Sequence, residues 1–225
     1  IVFDYLLKEF KAPLNDYKEW VDTVNAVDIW LENEKENFEF GKVLMSMVTK
    51  AREINSILFN SLDRDFKFYL LKNSIGFLSL ENAPIVLDNS VHSLKKEFLK
   101  DGFDDTLDNL SASYLVKSLD KIKDDLTVYY NGQKGLMTYC LGAISIPANS
   151  FLRANSDYDF FIDVGRKGNA SFRADGKLDV SQLASKLGNG GGHVNASGCK
   201  FDDFIETINL QEVRAYIQNK LNNLK

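Results

Sequence analysis

The most constraining stretch of this chain is Gly190-Gly191-Gly192-His193, inside the run Leu187 to Gly198. Three consecutive glycines are costly to order, because glycine gives up the most backbone entropy on folding. A chain that orders them needs positive φ there, or a close approach of its backbone to something else. Successive N–H groups in such a loop can form a concavity that binds an anion, most readily where a helix starts. His193 adds a side-chain donor at the same place. Taken alone, the run also reads as a flexible turn beside a surface histidine.

The flanks narrow the choice. Asp179 and Gln182 form a capping box, and Val180, Leu183, Ala184 and Leu187 recur at helical spacing, so a helix is predicted over 179–187. Gly188 stands where a C-terminal glycine belongs. Upstream, 160–164 and 170–174 read as strands joined by Gly165-Arg166-Lys167-Gly168-Asn169. The second strand carries Ser171-Phe172-Arg173, and the guanidinium of Arg173 has the fork geometry that suits phosphate. An arginine on a strand, a capped helix and a glycine–histidine loop together predict a phosphate pocket.

These elements, Ser171-Phe172-Arg173, the helix, and Gly190-Gly191-Gly192-His193-Val194-Asn195-Ala196-Ser197-Gly198, resemble the C-terminal DHH-associated domain of DHH-family phosphoesterases. Ser197 stands where that pattern usually has Ala. The family includes oligoribonucleases, single-strand exonucleases and cyclic-dinucleotide phosphodiesterases. The resemblance covers roughly the last hundred residues. It implies substrate phosphates held by Arg173 and the amides of Gly190, Gly191 and Gly192, with His193 as the catalytic donor to the scissile or neighbouring phosphate. It also implies two divalent ions, Mn2+ being usual, that activate a water for phosphodiester hydrolysis. The family draws most of its metal ligands from an N-terminal sheet that carries an Asp-His-His triplet. This chain has no such triplet and only two histidines. The expectation is therefore the C-terminal part of a larger hydrolase, inactive alone.

Composition limits the partners. The 225 residues are 44% hydrophobic and 26% charged, with a net charge of −5, so no broad basic face for long duplexes is expected. Short single-stranded RNA or nucleotide phosphates suit this balance, since few phosphates need neutralising. Cys140 and Cys199 are too few for a disulfide framework and read as free thiols in a reducing cytoplasm. No apolar run is long enough to span a bilayer, and no signal peptide is legible. A possible homodimer is left open.

Along the chain, an amphipathic helix is predicted over 1–10, with Ile1, Val2, Tyr5, Leu6 and Phe10 on one face. A second, from Tyr17 to about Leu31, places Tyr17, Trp20, Val21, Val24, Val27 and Leu31 in one stripe with Asp28 in its middle. A carboxylate on a buried face needs a partner or a metal. Asp28 also reads as a loop or cap residue if the helix ends near Ala26. Asp28-Ile29-Trp30 resembles the D-x-W context of a metal-binding aspartate in the oligonucleotide-degrading branch of the family, which makes Asp28 the metal-ligand candidate and Asp22 the runner-up.

Helical segments continue to about 125, broken by Pro84 and Asp101-Gly102. His92 has no metal-spaced partner and reads as an exposed residue. Asn131-Gly132 then marks a hairpin. Pro147 opens a short helix. A strand near Cys199 to Phe201 and a helix capped by Asn209 close the chain. The predicted fold class is α+β. A helical first part, 1–125, is read as a remnant of the DHH domain with linker helices. A small α/β substrate-binding domain with a mixed sheet, 126–225, follows it. The expected function is hydrolysis of short oligoribonucleotides, with 3′-phosphoadenosine 5′-phosphate as a further substrate. The alternative is a non-catalytic module for nucleic acid, as in alanyl-tRNA synthetases, or for a cyclic dinucleotide.

Overall fold

Helical periodicity governs the first part of the chain and strand alternation much of the rest, and the computed structural model, which describes residues 2–11 and 13–224 with the Lys35 side chain excepted, keeps that division. The fold is α+β, with a run of helices followed by a six-stranded mixed sheet and its helices. Two units separate: Ile1–Glu53 with Leu62–Lys100, and Ile54–Ser61 with Asp101–Lys225. Among the described residues no helix is long and apolar enough to cross a membrane.

In the first unit, α1 (Val2–Phe10) has no buried residue, and Val2, Tyr5 and Phe10 of its predicted face are exposed; Ile1 lies outside the described residues. After a 3-10 turn at Asn15–Tyr17 comes α2 (Lys18–Asp28), which ends three residues before the predicted Leu31. Its buried positions are Thr23 and Ala26, while Tyr17 and Val24 are exposed. The reason lies in α3 (Lys35–Thr49). A Cβ on its Gly41 would sit 2.3 Å from the Thr23 carbonyl oxygen and 3.0 Å from Val27 Cβ, so α3 approaches α2 along Thr23 and Val27 and covers only part of the predicted stripe. Asp28 is consequently exposed, and its place on a buried face, expected from periodicity, is not observed.

Trp20 Nε1 donates to Ser74 Oγ at 3.0 Å, tying α2 to α4 (Asn60–Ser74). Pro84 starts a helix rather than breaking one. It occupies the first turn of α5 (Ala83–Leu99), where its missing N–H costs nothing. Phe40, Phe66, Leu70 and Leu87 are fully buried, and the ammonium of Lys95 bonds Glu53 Oε1 at 2.7 Å. His92 is exposed, as the sequence suggests.

In the second unit α6 (Leu107–Asp120) and the short α7 (Lys123–Leu126) lead into β1 (Thr127–Tyr130) and β2 (Gln133–Tyr139). Asn131 (φ 47°) and Gly132 (φ 80°) make the tight turn that Asn-Gly predicts. α8 (Ser145–Ala154) then crosses to β3 (Phe160–Val164), which runs parallel to β2. β4 (Asn169–Ala174) returns antiparallel, followed by α9 (Val180–Leu187), β5 (Gly191–His193), β6 (Ala196–Lys200) and α10 (Leu210–Asn222). The sheet order is β1-β2-β3-β4-β6-β5. Phe151 of α8 meets Phe161 of β3 with ring centroids 5.9 Å apart, so α8 covers the Phe161 face. Ser197 donates its hydroxyl to the Val180 carbonyl at 2.5 Å, which puts α9 against the opposite face.

Candidate phosphate site on one face of the sheet

The site is built by strand register. Arg173 on β4 pairs with Phe161 on β3 and with Ala196 on β6, and Ala196 pairs with His193 on β5. Residues paired across neighbouring strands project from the same face. Arg173, Ala196 and His193 therefore form one row on the α8 face, with two strand spacings, about 10 Å, between the outer two. Ala196 contributes only a methyl between them. The next row on that face, two residues along each strand, is Asp163, Ser171, Gly198 and Gly191. Its outer half is bare glycine. An arginine and an exposed histidine thus flank a shallow floor of small residues.

The Arg173 guanidinium is held in place. Its Nη1 donates to the Phe172 carbonyl at 2.8 Å and its Nη2 to Ser145 Oγ, in the first turn of α8, at 2.9 Å. Those bonds use two of its five N–H groups. Ser145 was not singled out by the sequence, because the contact joins residues 28 positions apart. Asp163 was also missed. Its carboxylate is buried at 5% exposure, and accepts from Thr138 Oγ1 (2.8 Å), Leu141 N (2.9 Å) and Gly142 N (3.0 Å). Burial pushes its carboxyl above the usual range, against the pull of the three hydrogen bonds. A lone carboxylate in the apolar run Phe160–Val164 was the available signal.

The glycine run departs from the predicted loop. Gly191, Gly192 and His193 form an edge strand, hydrogen-bonded to β6 through a turn at Val194-Asn195. Successive amides of a strand point in opposite directions, so these N–H groups do not converge as a loop concavity would; those on the free edge stay open. Two of the glycines have a packing reason. A Cβ on Gly190 would lie 2.4 Å from that of Cys199, and one on Gly192, which has φ +146°, 2.6 Å from the Ala196 carbonyl oxygen. Gly191 has none: a Cβ there meets nothing within 4 Å.

The capped helix is as expected. Asp179 Oδ1 accepts from Ser181 N at 3.0 Å and Gln182 N at 3.3 Å, and Val180, Leu183, Ala184 and Leu187 are buried. Gly188 ends it in extended backbone (φ −173°), and its glycine identity follows from close approach instead, a Cβ falling 2.5 Å from the Lys200 carbonyl oxygen.

In the first unit, Asp28 closes α2. The next turn is unusual: Leu31 N donates to the Ala26 carbonyl at 2.7 Å, with Trp30 at φ 60° in the position where a helix-ending glycine normally sits. Trp30 is 61% exposed. Asp22 bonds Lys18 at 2.8 Å. Among the described residues no group of three or more His, Cys, Asp or Glu is arranged to hold a metal ion. The residues present do not by themselves fit a two-ion centre, and Asp28 stands as an isolated carboxylate.

Residues 142–223 match the DHHA1 domain model, a span that takes in Ser145, Arg173 and the glycine–histidine hairpin. Residues 142–223 thus carry a DHHA1 domain, in keeping with the resemblance to the C-terminal part of DHH-family phosphoesterases. It is similar to a 3′,5′-cyclic-nucleotide phosphodiesterase of Helicobacter pylori, 40% identical over 228 residues that cover 99% of this chain and 65% of the relative. A crystal structure of an uncharacterized protein from Helicobacter pylori G27 superposes with TM-score 0.88 at 43% identity, over 92% of this chain and 60% of that one. The chain thus spans somewhat less than two thirds of the length of each relative.

Proposed function

We propose that this chain is the substrate-gripping part of a phosphodiesterase acting on small nucleotide substrates. The observation that carries the reading is the row Arg173–Ala196–His193 beside the bare Gly191, two side chains of a kind suited to phosphate on one face with nothing bulky between them. The guanidinium supplies charge and a fork for phosphate oxygens. His193 supplies a donor to the scissile or neighbouring phosphate, and those amides of Gly190, Gly191 and Gly192 that point to the free edge add neutral donors. Asp28 is the one carboxylate this chain would lend to a divalent ion, manganese by the family resemblance, and its test is the loss of ion binding in Asp28→Asn.

The substrate is a nucleotide phosphate ester of modest size, in a cytoplasmic setting. Short oligoribonucleotides and 3′-phosphoadenosine 5′-phosphate remain the reading from sequence. The name of the 40%-identical relative supports a 3′,5′-cyclic nucleotide as the second reading. The deciding experiment gives the full-length protein Mn2+ and, separately, RNAs of about two to five nucleotides, 3′-phosphoadenosine 5′-phosphate and cyclic AMP. Turnover of one of them, lost in Arg173→Ala and His193→Ala, is expected. Undiminished turnover in both variants overturns the proposal. Tight nucleotide binding with no hydrolysis by the full-length protein marks the non-catalytic alternative, a nucleic-acid or cyclic-dinucleotide binding module.

A further inference from the structure

We infer that Asp163 is a positioning residue for Arg173, acting through the turn between β2 and α8; its bearing on substrate rests on Arg173 being a phosphate-binding residue. The rest of β3, Phe160, Phe161, Ile162 and Val164, is fully buried and apolar. A carboxylate among them is expensive to desolvate, and an aliphatic side chain would fill the strand without that cost. Its three donors are all neutral: the Thr138 hydroxyl and the amides of Leu141 and Gly142. Two of the three belong to the turn that leads to Ser145.

That turn needs holding. Cys140 has φ +57° and Gly142 φ +87°, the first outside the range a side chain readily adopts. Cys140 N donates to the Val164 carbonyl at 2.8 Å, and its own carbonyl accepts from Asn55 Nδ2 at 2.6 Å. Asp163 then spans Leu141 and Gly142 with one oxygen on each. Ile144 follows, buried, and its carbonyl accepts from Ala148 N at 2.9 Å to begin α8. Ser145 comes next, and its hydroxyl accepts from Arg173. A chain of fixed contacts therefore runs from the Asp163 carboxylate to the guanidinium, and it sets where that guanidinium points over the floor of small residues.

Nuclear magnetic resonance on this chain tests the relay without any ligand. Asp163→Asn keeps the volume but puts an NH2 group against one of the two amides. The expected result is a shift of the Leu141 and Gly142 amide resonances together with loss of the distinct, slowly exchanging Arg173 guanidinium signals. Ser145→Ala, at an exposed position, is expected to lose the Arg173 signals and leave the Leu141 and Gly142 amides in place. If Asp163→Asn does not fold, the isosteric Thr138→Val takes its place, with smaller shifts at the same three residues. Native Arg173 signals in Asp163→Asn, or in Thr138→Val where that variant is used, overturn the inference. Binding of 3′-phosphoadenosine 5′-phosphate adds a second readout. Asp163→Asn should weaken it about tenfold, and less than twofold when Arg173 is already alanine, as expected for coupled residues. Equal losses in both backgrounds overturn the relay. Binding that ignores Arg173→Ala removes instead the phosphate role of Arg173, and the resonance readout still decides the relay.

Discussion

The side chains of Arg173 and His193 rise from the same face of the sheet, one on β4 and one on the edge strand β5, with only the methyl of Ala196 on β6 between them. This follows from register alone, and it makes the two residues partners although 20 positions separate them. The pairing predicts graded losses. Charge-assisted hydrogen bonds contribute about 1.5–3 kcal/mol each. Arg173→Ala should therefore weaken phosphate-ligand binding by about ten- to a hundredfold, and His193→Ala by less, since an imidazole presents one ring donor to a phosphate where the guanidinium presents a bidentate fork. Arg173→Lys should not restore the affinity, because an ammonium cannot bond Phe172 and Ser145 and still present a planar fork. Titration calorimetry with 3′-phosphoadenosine 5′-phosphate measures all three.

The three glycines should separate into two kinds. In Gly192→Ala a new Cβ lies 2.6 Å from a backbone oxygen, at a φ of +146° that side chains avoid. This variant should lose about 1–3 kcal/mol of stability. Gly191→Ala meets nothing within 4 Å and should keep the parental melting temperature. Its methyl projects onto the Arg173 face, so it should weaken ligand binding while leaving stability alone. Thermal melts and binding isotherms on the two variants check the contrast. A Gly191→Ala protein that binds normally would remove that glycine from the site.

Much of this was legible because the signals were local. The Asp179 cap, the Asn131-Gly132 turn, the Asn209 cap and the alternation of 160–164 with 170–174 each decide structure within a few residues. Four matters were not. The glycine run has no side chains to show a period, so its pairing with β6 depends on the later hairpin partner. The end of α2 was hidden because Trp30, not glycine, occupies the left-handed position. Which face of α2 is buried depended on Gly41, whose missing side chain lets α3 approach Thr23. Asp28 thereby lost its apparent burial, and its candidacy rests on the D-x-W resemblance. Ser145 and Asp163 reach Arg173 only through tertiary structure.

Trp30 carries a measurable backbone cost. Its φ of 60° is left-handed, a conformation that costs a side-chain-bearing residue about 1 kcal/mol relative to glycine. The ring recovers part of this through an edge contact with Phe38, centroids 5.1 Å apart, while its bond to the exposed Glu32 adds little. Trp30→Ala should be the least stable form, since it keeps the strain and loses the ring. Trp30→Gly should exceed it by about 1 kcal/mol and lie near the parent. Urea midpoints for the three proteins test this order, and a Trp30→Gly no better than Trp30→Ala would remove the strain.

Alkaline pH should destabilise the second unit. Burial pushes the Cys199 thiol up to about 11. Tyr216 is raised as well, chiefly by burial and then by its hydrogen bond to Asp203, and burial raises Tyr139 in the same direction. Each group holds its proton more tightly in the folded state than in the unfolded one. As pH climbs past the unfolded thiol value near 9, the unfolded chain releases protons that the folded chain retains, and stability falls. The Cys199 contribution is fully present below that value and is lost progressively up to about 11, on the order of 2 kcal/mol in all. Urea midpoints should be level between about pH 7 and 8 and drop between about 9 and 10.5. Cys199→Ala should flatten part of that drop, leaving the contribution of the Cys140 thiol, which burial also raises, and that of the tyrosines at higher pH. A variant whose midpoint falls as steeply as the parent's would show that the thiol titrates alike in both states.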